Sequence, residues 1–133
     1  MYIIKKVENK KDLKNFIKLP WDIYKNNKNW VPPLKMAVKD LLSEKKNPFW
    51  NHAKKELFLL LKEGKVVGRI AGIVDDLHNQ IHEEKIGFFG FFECINDFDG
   101  AKLLFDAAKT WCQKQGALQF RGPASPSSND EYG

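Results

Sequence analysis

Between Gly87 and Ile95 the chain reads Gly-Phe-Phe-Gly-Phe-Phe-Glu-Cys-Ile, and Asn96-Asp97-Phe98-Asp99-Gly100 follows at once. An aromatic run this dense predicts a buried strand, because aromatic side chains suit a pleated surface packed on both faces. The turn after it is rich in Asp and Asn, and a helical pattern starts there: Ala101, Leu104, Phe105, Ala108, Trp111, Cys112 and Gln115 recur at three-four spacing. Asn96 or Asp97 can cap this helix and Gly116 can close it. A strand that runs straight into a helix leaves the first helical N–H groups unpaired and pointing outward, a common place for an anionic ligand. Gly87 and Gly90 weaken a strand unless a bulge or a close backbone approach uses them.

The rest of the chain supplies partners for that strand. Residues 2–8 alternate loosely and predict a first strand. Asn9 can cap a helix at about 10–18, with Pro20 breaking or kinking it and a short continuation at about 20–26. Asn26–Asn29 is a turn. Trp30-Val31-Pro32-Pro33 leads into a second helix with Pro in its first turn, and Leu34, Val38, Leu41 and Leu42 form its buried stripe. Asn47–Asn51 is a loop carrying Phe49 and Trp50, which read better as lids over the core, along with Trp21 and Trp30, than as a pocket lining. Residues 56–62 and 65–75 form a hairpin across Glu63-Gly64. Residues 76–84 are polar, a loop or a single helical turn. Residues 118–121 are a short last strand, ended by Gly122-Pro123. The order is β-α-α-β-β-β-α-β, an α/β (α+β) chain with a mixed sheet flanked by helices. Its 133 residues read as one domain, and 43% hydrophobic content suffices for a core.

Charge narrows the partners. Net charge is +5, carried almost wholly by scattered lysines, since Arg69 and Arg121 are the only arginines. Bidentate base reading favours Arg, so the composition argues against nucleic acid. No apolar run is long enough to span a bilayer, and residues 1–6 lack the layout of a secretory signal. Cys94 and Cys112 read as reduced, buried thiols. Together these features imply a cytoplasmic protein with no membrane partner. His78 and His82 are four apart but have no matching carboxylate or Cys, so no metal site is expected. Ser127 and Ser128 lack a His–Asp partner pattern. Residues 123–133 read as a loop opening a helix, which suggests a piece of a longer protein.

Several blocks resemble the GNAT acetyltransferase superfamily, and more narrowly a bacterial GNAT-like group of unassigned substrate. They are Leu19-Pro20-Trp21 with Tyr24, Asn29–Leu34, Asn47-Pro48-Phe49, Val66–Ala71, Gly87–Glu93, and Arg121-Gly122-Pro123 with Asn129-Asp130-Glu131 and Gly133. The resemblance covers essentially the whole chain and implies a mostly antiparallel GNAT-like sheet, incomplete at its C-terminal side. It implies acetyl-CoA as cosubstrate, in a cleft where the fourth and fifth strands splay. The pantetheine arm would pair with backbone at Phe92, Cys94 and Ile95, as a strand added to an edge. The pyrophosphate would lie on the helix start at Gly100 and Ala101. Asn129 would touch CoA or substrate, or else cap a helix. Gly90 suits the bulge that opens the splay, and Glu93 is the candidate general base for an unknown small-molecule or peptide amine.

One block departs from the superfamily. Its phosphate loop reads Arg/Gln-x-x-Gly-x-Gly/Ala, two residues, then Leu. Counting back from Leu103 puts Ile95, Phe98 and Gly100 at the fixed positions, and only Gly100 agrees. Asp97 and Asp99 add negative charge where a pyrophosphate belongs. Two readings follow: an N-acetyltransferase, or a non-catalytic GNAT-like domain that binds a ligand or partner. A homodimer through an exposed sheet edge is a further expectation.

Overall fold

A computed structural model describes residues 1–124. The elements in chain order are β1 (Tyr2–Lys6), α1 (Lys10–Tyr24), α2 (Lys35–Leu42), a 3-10 turn (Pro48–Asn51), β2 (Ala53–Lys62), β3 (Lys65–Asp75), α3 (Asp76–His82), β4 (Ile86–Cys94), α4 (Phe98–Lys114) and β5 (Gln119–Arg121). The five strands lie in sequence order in one sheet. Neighbours are antiparallel except β4 and β5, which run parallel across the α4 crossover. At the β2–β3 turn both Glu63 (φ 50°) and Gly64 (φ 78°) are left-handed, the geometry whose twist matches a two-residue hairpin.

The sheet is covered on both faces. Phe16 and Ile17 of α1, Val38 and Leu42 of α2, and the buried Phe49 and Trp50 pack on one face against Leu59, Ala71, Ile73 and Phe88. Leu104 and Ala108 of α4 pack on the other against Phe58, Leu60, Val67 and Ile70. Asn47 holds the two aromatics as a lid: its carboxamide accepts from Phe49 N–H and donates to the Leu41 carbonyl, which also takes the Trp50 indole N–H at 2.8 Å. The helices approach the sheet closely. A Cβ on Gly87 would stand 2.5 Å from Cys112 Cβ, so only glycine lets β4 lie this near α4.

Three details differ from the sequence reading. First, α1 does not break at Pro20; it runs from Lys10 to Tyr24, capped by the Asn9 side chain on Asp12 N–H. Proline removes the N–H that would serve the Phe16 carbonyl. That carbonyl instead accepts from Arg69 Nη1 at 2.6 Å, so the helix continues without an orphaned acceptor. Second, the prolines precede α2 instead of entering it. Leu34 is extended (φ −70°, ψ 129°), and it is 77% exposed where a buried position was expected. The prolines bias Val31 and Pro32, the residues before them, towards extended backbone, and Leu34, also extended, is the N-cap. Third, residues 76–82 form a full short helix, because the Asp75 carboxylate accepts from the N–H groups of Leu77 and His78.

Candidate functional site

The β4 strand carries a bulge at its middle. Its pairing with β3 shifts between Arg69 and Ala71, and Phe91 opposite the shift has φ 55°. A left-handed backbone is costly for a bulky residue and persists only where its surroundings hold it. Arg69 does the holding. It is 6% exposed, and its Nε donates to the Phe91 carbonyl at 2.8 Å while Nη1 donates to Phe16. Its guanidinium also lies over the rings of Phe16 and Phe91. Burial presses its pKa down to about 10, still far above neutrality, so it stays a cation at pH 7.

The bulge also shifts the side-chain phase of the strand. Phe88 and Phe91 both reach the α1 side, whereas Phe89 and Phe92 both reach the α4 side, where each ring packs on Phe105. Strict alternation would have sent Phe88 and Phe91 to opposite faces. Glu93 then faces α1. Its Oε1 accepts from the Tyr24 hydroxyl at 2.6 Å, a bond between residues 69 positions apart. No other described side chain bonds Glu93. The hydrogen bond to Glu93, then burial, then the carboxylate's charge raise the Tyr24 pKa above its usual 10.0; Arg69 opposes this weakly.

Beyond the bulge β4 loses its neighbour on the β5 side. Parallel pairing covers Ile86, Gly87 and Phe88, and one further bond runs from Ala124 N–H to the Phe89 carbonyl at 2.9 Å. Among the described residues no strand pairs with Phe91–Cys94 on that side. That edge of β4 runs from the bulge to Glu93, whose carboxylate meets Tyr24.

All but one of the expected site residues lie among the described residues. Phe92, Cys94 and Ile95 have half-buried side chains packed towards α4, and the Ile95 N–H donates to the Val67 carbonyl of β3 at 3.0 Å. Burial pushes the Cys94 thiol up in pKa, so it is a neutral packing group. Gly90 does not carry the left-handed backbone; Phe91 does. A Cβ at Gly90 would lie 2.7 Å from the Ala124 carbonyl, so that glycine serves the contact with the chain after β5. Gly100 and Ala101 do start α4, but their amides are engaged: Gly100 N–H donates to Asp97 Oδ1 at 3.0 Å and Ala101 N–H to the Asp97 carbonyl at 3.0 Å. Asp97 also accepts from the Tyr2 hydroxyl and lies 3.5 Å from Lys62 Nζ. The helix tip is thus filled by its own carboxylate and does not fit a pyrophosphate as it stands. Asn129 lies outside the described residues.

Arg69 and Tyr24 are the two members of this cluster to which sequence reasoning gave no role. Pro20 was a usable signal for Arg69, since a proline inside a helical pattern implies an external donor for the carbonyl four residues back. Elsewhere, His52 and Asp75 pair at 2.7 Å at the opposite end of the sheet. Among the described residues no three His, Cys, Asp or Glu side chains gather to hold a metal ion.

The Tyr24–Glu93 bond gives one prediction. The bond needs the phenol protonated, and its pKa is raised on folding. Its stabilisation is therefore fully present below pH 10 and lost as pH rises through the higher folded value. The stability gap between the wild type and Tyr24→Phe should be constant from neutral pH to about 10 and close above it. Denaturant midpoints across that range would measure it.

No protein-family model matches the sequence. Two curated proteins are similar to it. Protein YghO of Escherichia coli (strain K12) is 38% identical over 125 residues, covering 94% of this chain and 32% of that protein. A bacterial ceramide synthase of Caulobacter vibrioides is 38% identical over 123 residues, covering 92% and 32%. The chain spans about a third of the length of both relatives. Among solved structures, a GNAT-family acetyltransferase of Staphylococcus aureus Mu50 aligns with TM-score 0.63 at 18% identity, covering 95% of this chain and 75% of that one. The aminoglycoside acetyltransferase AAC(6')-Iy, bound to a CoA-linked bisubstrate analogue, aligns with TM-score 0.60 at 14% identity, covering 97% and 83%. No helix among the described residues is long and apolar enough to cross a membrane. With its five-stranded, mostly antiparallel sheet, its bulged fourth strand and its parallel fifth strand across a helix, the chain has the GNAT acetyltransferase fold.

Proposed function

We propose that this chain forms the acyl-CoA-facing part of an N-acyltransferase, joining the acyl group of a CoA thioester, acetyl-CoA in the first instance, to an amine. The observation that carries the reading is the bulged β4 edge, unpaired among the described residues from Phe91 and ending beside Glu93. Such an edge offers main-chain donors and acceptors to an extended amide-containing arm, much as a sheet takes an added strand. The CoA-linked analogue held by a protein of the same fold supports the choice of ligand. The ceramide synthase name supports the bond type, because a ceramide is an N-acylated amine.

CoA would supply the activated acyl carbonyl. The chain's own groups then have distinct tasks. The Glu93 carboxylate would take the proton that the amine must lose on attack, through the oxygen that Tyr24 does not occupy; as the C–N bond forms the acyl C–S bond breaks, and CoA leaves as the thiol with that proton. Tyr24 fixes the carboxylate's direction. Backbone N–H groups along Phe91–Cys94 that β3 does not take would supply donors for the oxygen on which negative charge grows. Arg69 keeps the bulge open. No step is assigned to the α4 tip.

The filled tip favours a second reading, a non-catalytic domain kept for binding. Thermal melting with CoA separates the two. Saturation at a hundredfold over Kd adds about 2.7 kcal/mol to stability, which raises Tm by roughly 8–13 °C for a chain this size. Asp97→Asn keeps a capping oxygen but removes charge. If the nucleotide end of CoA approaches α4, this variant should melt still higher with ligand. No change at millimolar CoA in either protein would leave the non-catalytic reading standing.

A further inference from the structure

The face of α1 and α2 away from the sheet carries a feature that acyl transfer does not use. Between the two helices lies an open groove of about 590 Å³. Its floor is Leu13, Ile17 and Met36, and every other lining residue is a lysine. Lys10, Lys14 and Lys18 stand one turn apart on α1; Lys35 and Lys39 face them from α2. None of the five is paired with a carboxylate among the described residues. Lysines elsewhere do find such partners: Lys5 with Asp12, Lys46 with Asp40, Lys55 with Glu44 and Lys102 with Asp106. Like charges one helical turn apart repel, so this cluster is mildly unfavourable without an anionic partner.

Beside the groove, the chain before α2 points apolar side chains into water: Val31 is 85% exposed and Leu34 77%. Met36, on the groove floor, is 72% exposed. Val31 and Leu34 lie outside the groove lining, so a ligand that filled only the groove would leave both wet. A flat anionic surface with an apolar interior meets all three features at once. The lysines reach headgroup phosphates while the residues at 31–36 enter the acyl boundary. The apolar floor and the lack of Arg in the groove do not suit nucleic acid.

We propose that the α1–α2 face docks on an anionic phospholipid bilayer, as a surface contact with no spanning segment. This departs from the sequence expectation of no membrane partner, and it stands whether or not the acyltransfer reading does. The test is co-sedimentation of the 133-residue chain with vesicles. Partition should be strong on mixed phosphatidylcholine–phosphatidylglycerol, weak on phosphatidylcholine alone, and lost at high salt. Lys14→Glu with Lys18→Glu should weaken partition on the order of tenfold or more. Leu34→Asp with Met36→Asp should do the same. All four positions are exposed, so melting temperatures should hold. Four results would overturn the proposal. One is equal or no binding to both vesicle types. Another is sensitivity to the lysine variants alone. The third is tight binding of monomeric oleate with no preference for vesicles. The last is a dimer in sedimentation that Leu34→Asp with Met36→Asp dissociates.

Discussion

Replacing Arg69 with Met is expected to lower stability by about 2–4 kcal/mol. Met keeps the apolar stem and much of the volume, so the cavity is small. The loss falls on two carbonyls, the buried one of Phe16 and the partly buried one of Phe91, each of which has its donor in this one guanidinium. Replacing a buried charge with an apolar group is often neutral, but only when no partner is left stranded. Here both acceptors are stranded. Lys should rescue only part of the loss, because one ammonium cannot reach two carbonyls in the fixed directions that the planar fork reaches. Pro20 offers a sharper control. Pro20→Ala restores an N–H to α1 at the position that serves Phe16, so Arg69→Met should cost about 1 kcal/mol less in that background. A denaturant double-mutant cycle would measure this. A cost below about 0.5 kcal/mol for Arg69→Met would mean that the bulge holds itself.

Glu93→Gln should have the largest effect on turnover. With any primary amine that the wild type acylates from acetyl-CoA, the variant should lose on the order of 10²–10⁴ in kcat. CoA affinity should be unchanged, because the proposed arm contact is with backbone. The amide keeps the shape and can still accept from Tyr24, so the fold should not suffer. Release of free CoA thiol, followed beside a binding isotherm, separates the two effects. Equal loss of binding and turnover would make Glu93 a structural residue; unchanged turnover would place the base elsewhere.

Much of the fold was legible because local chemistry and tertiary packing agree. The Asn9 and Asp97 caps, the Glu63-Gly64 turn and the three-four rhythm after Gly100 each point to the element that forms. The phenylalanine doublets were legible as a strand but not as a bulged strand. The doublets fit a regular strand equally well, with Phe88 and Phe92 on one face and Phe89 and Phe91 on the other, so they carry no sign of the shift. Gly90 drew the bulge to itself in the sequence reading, although the left-handed backbone falls on Phe91, where Arg69 compensates for it. Pro20 was read locally as a break, because the donor that spares α1 comes from β3. Leu34 was read as buried from spacing alone, while it stands outside the helix as its extended N-cap.

The candidate site was half legible for the same reason. Glu93 could be found from its strand position. Its partner Tyr24 is 69 residues away and no local pattern links them. The Asp97 side chain was readable as a cap, and capping fills the very tip where the superfamily pattern would place a pyrophosphate.

If β4 beyond its bulge takes the acyl-CoA arm along its main chain, amide NMR during a CoA titration will show it. Saturable shifts should concentrate at Phe91–Ile95 with a smaller response near Tyr24, and little change along Gln119–Arg121. Shifts confined to surface lysines and abolished by salt, with Phe91–Ile95 unmoved, would contradict it.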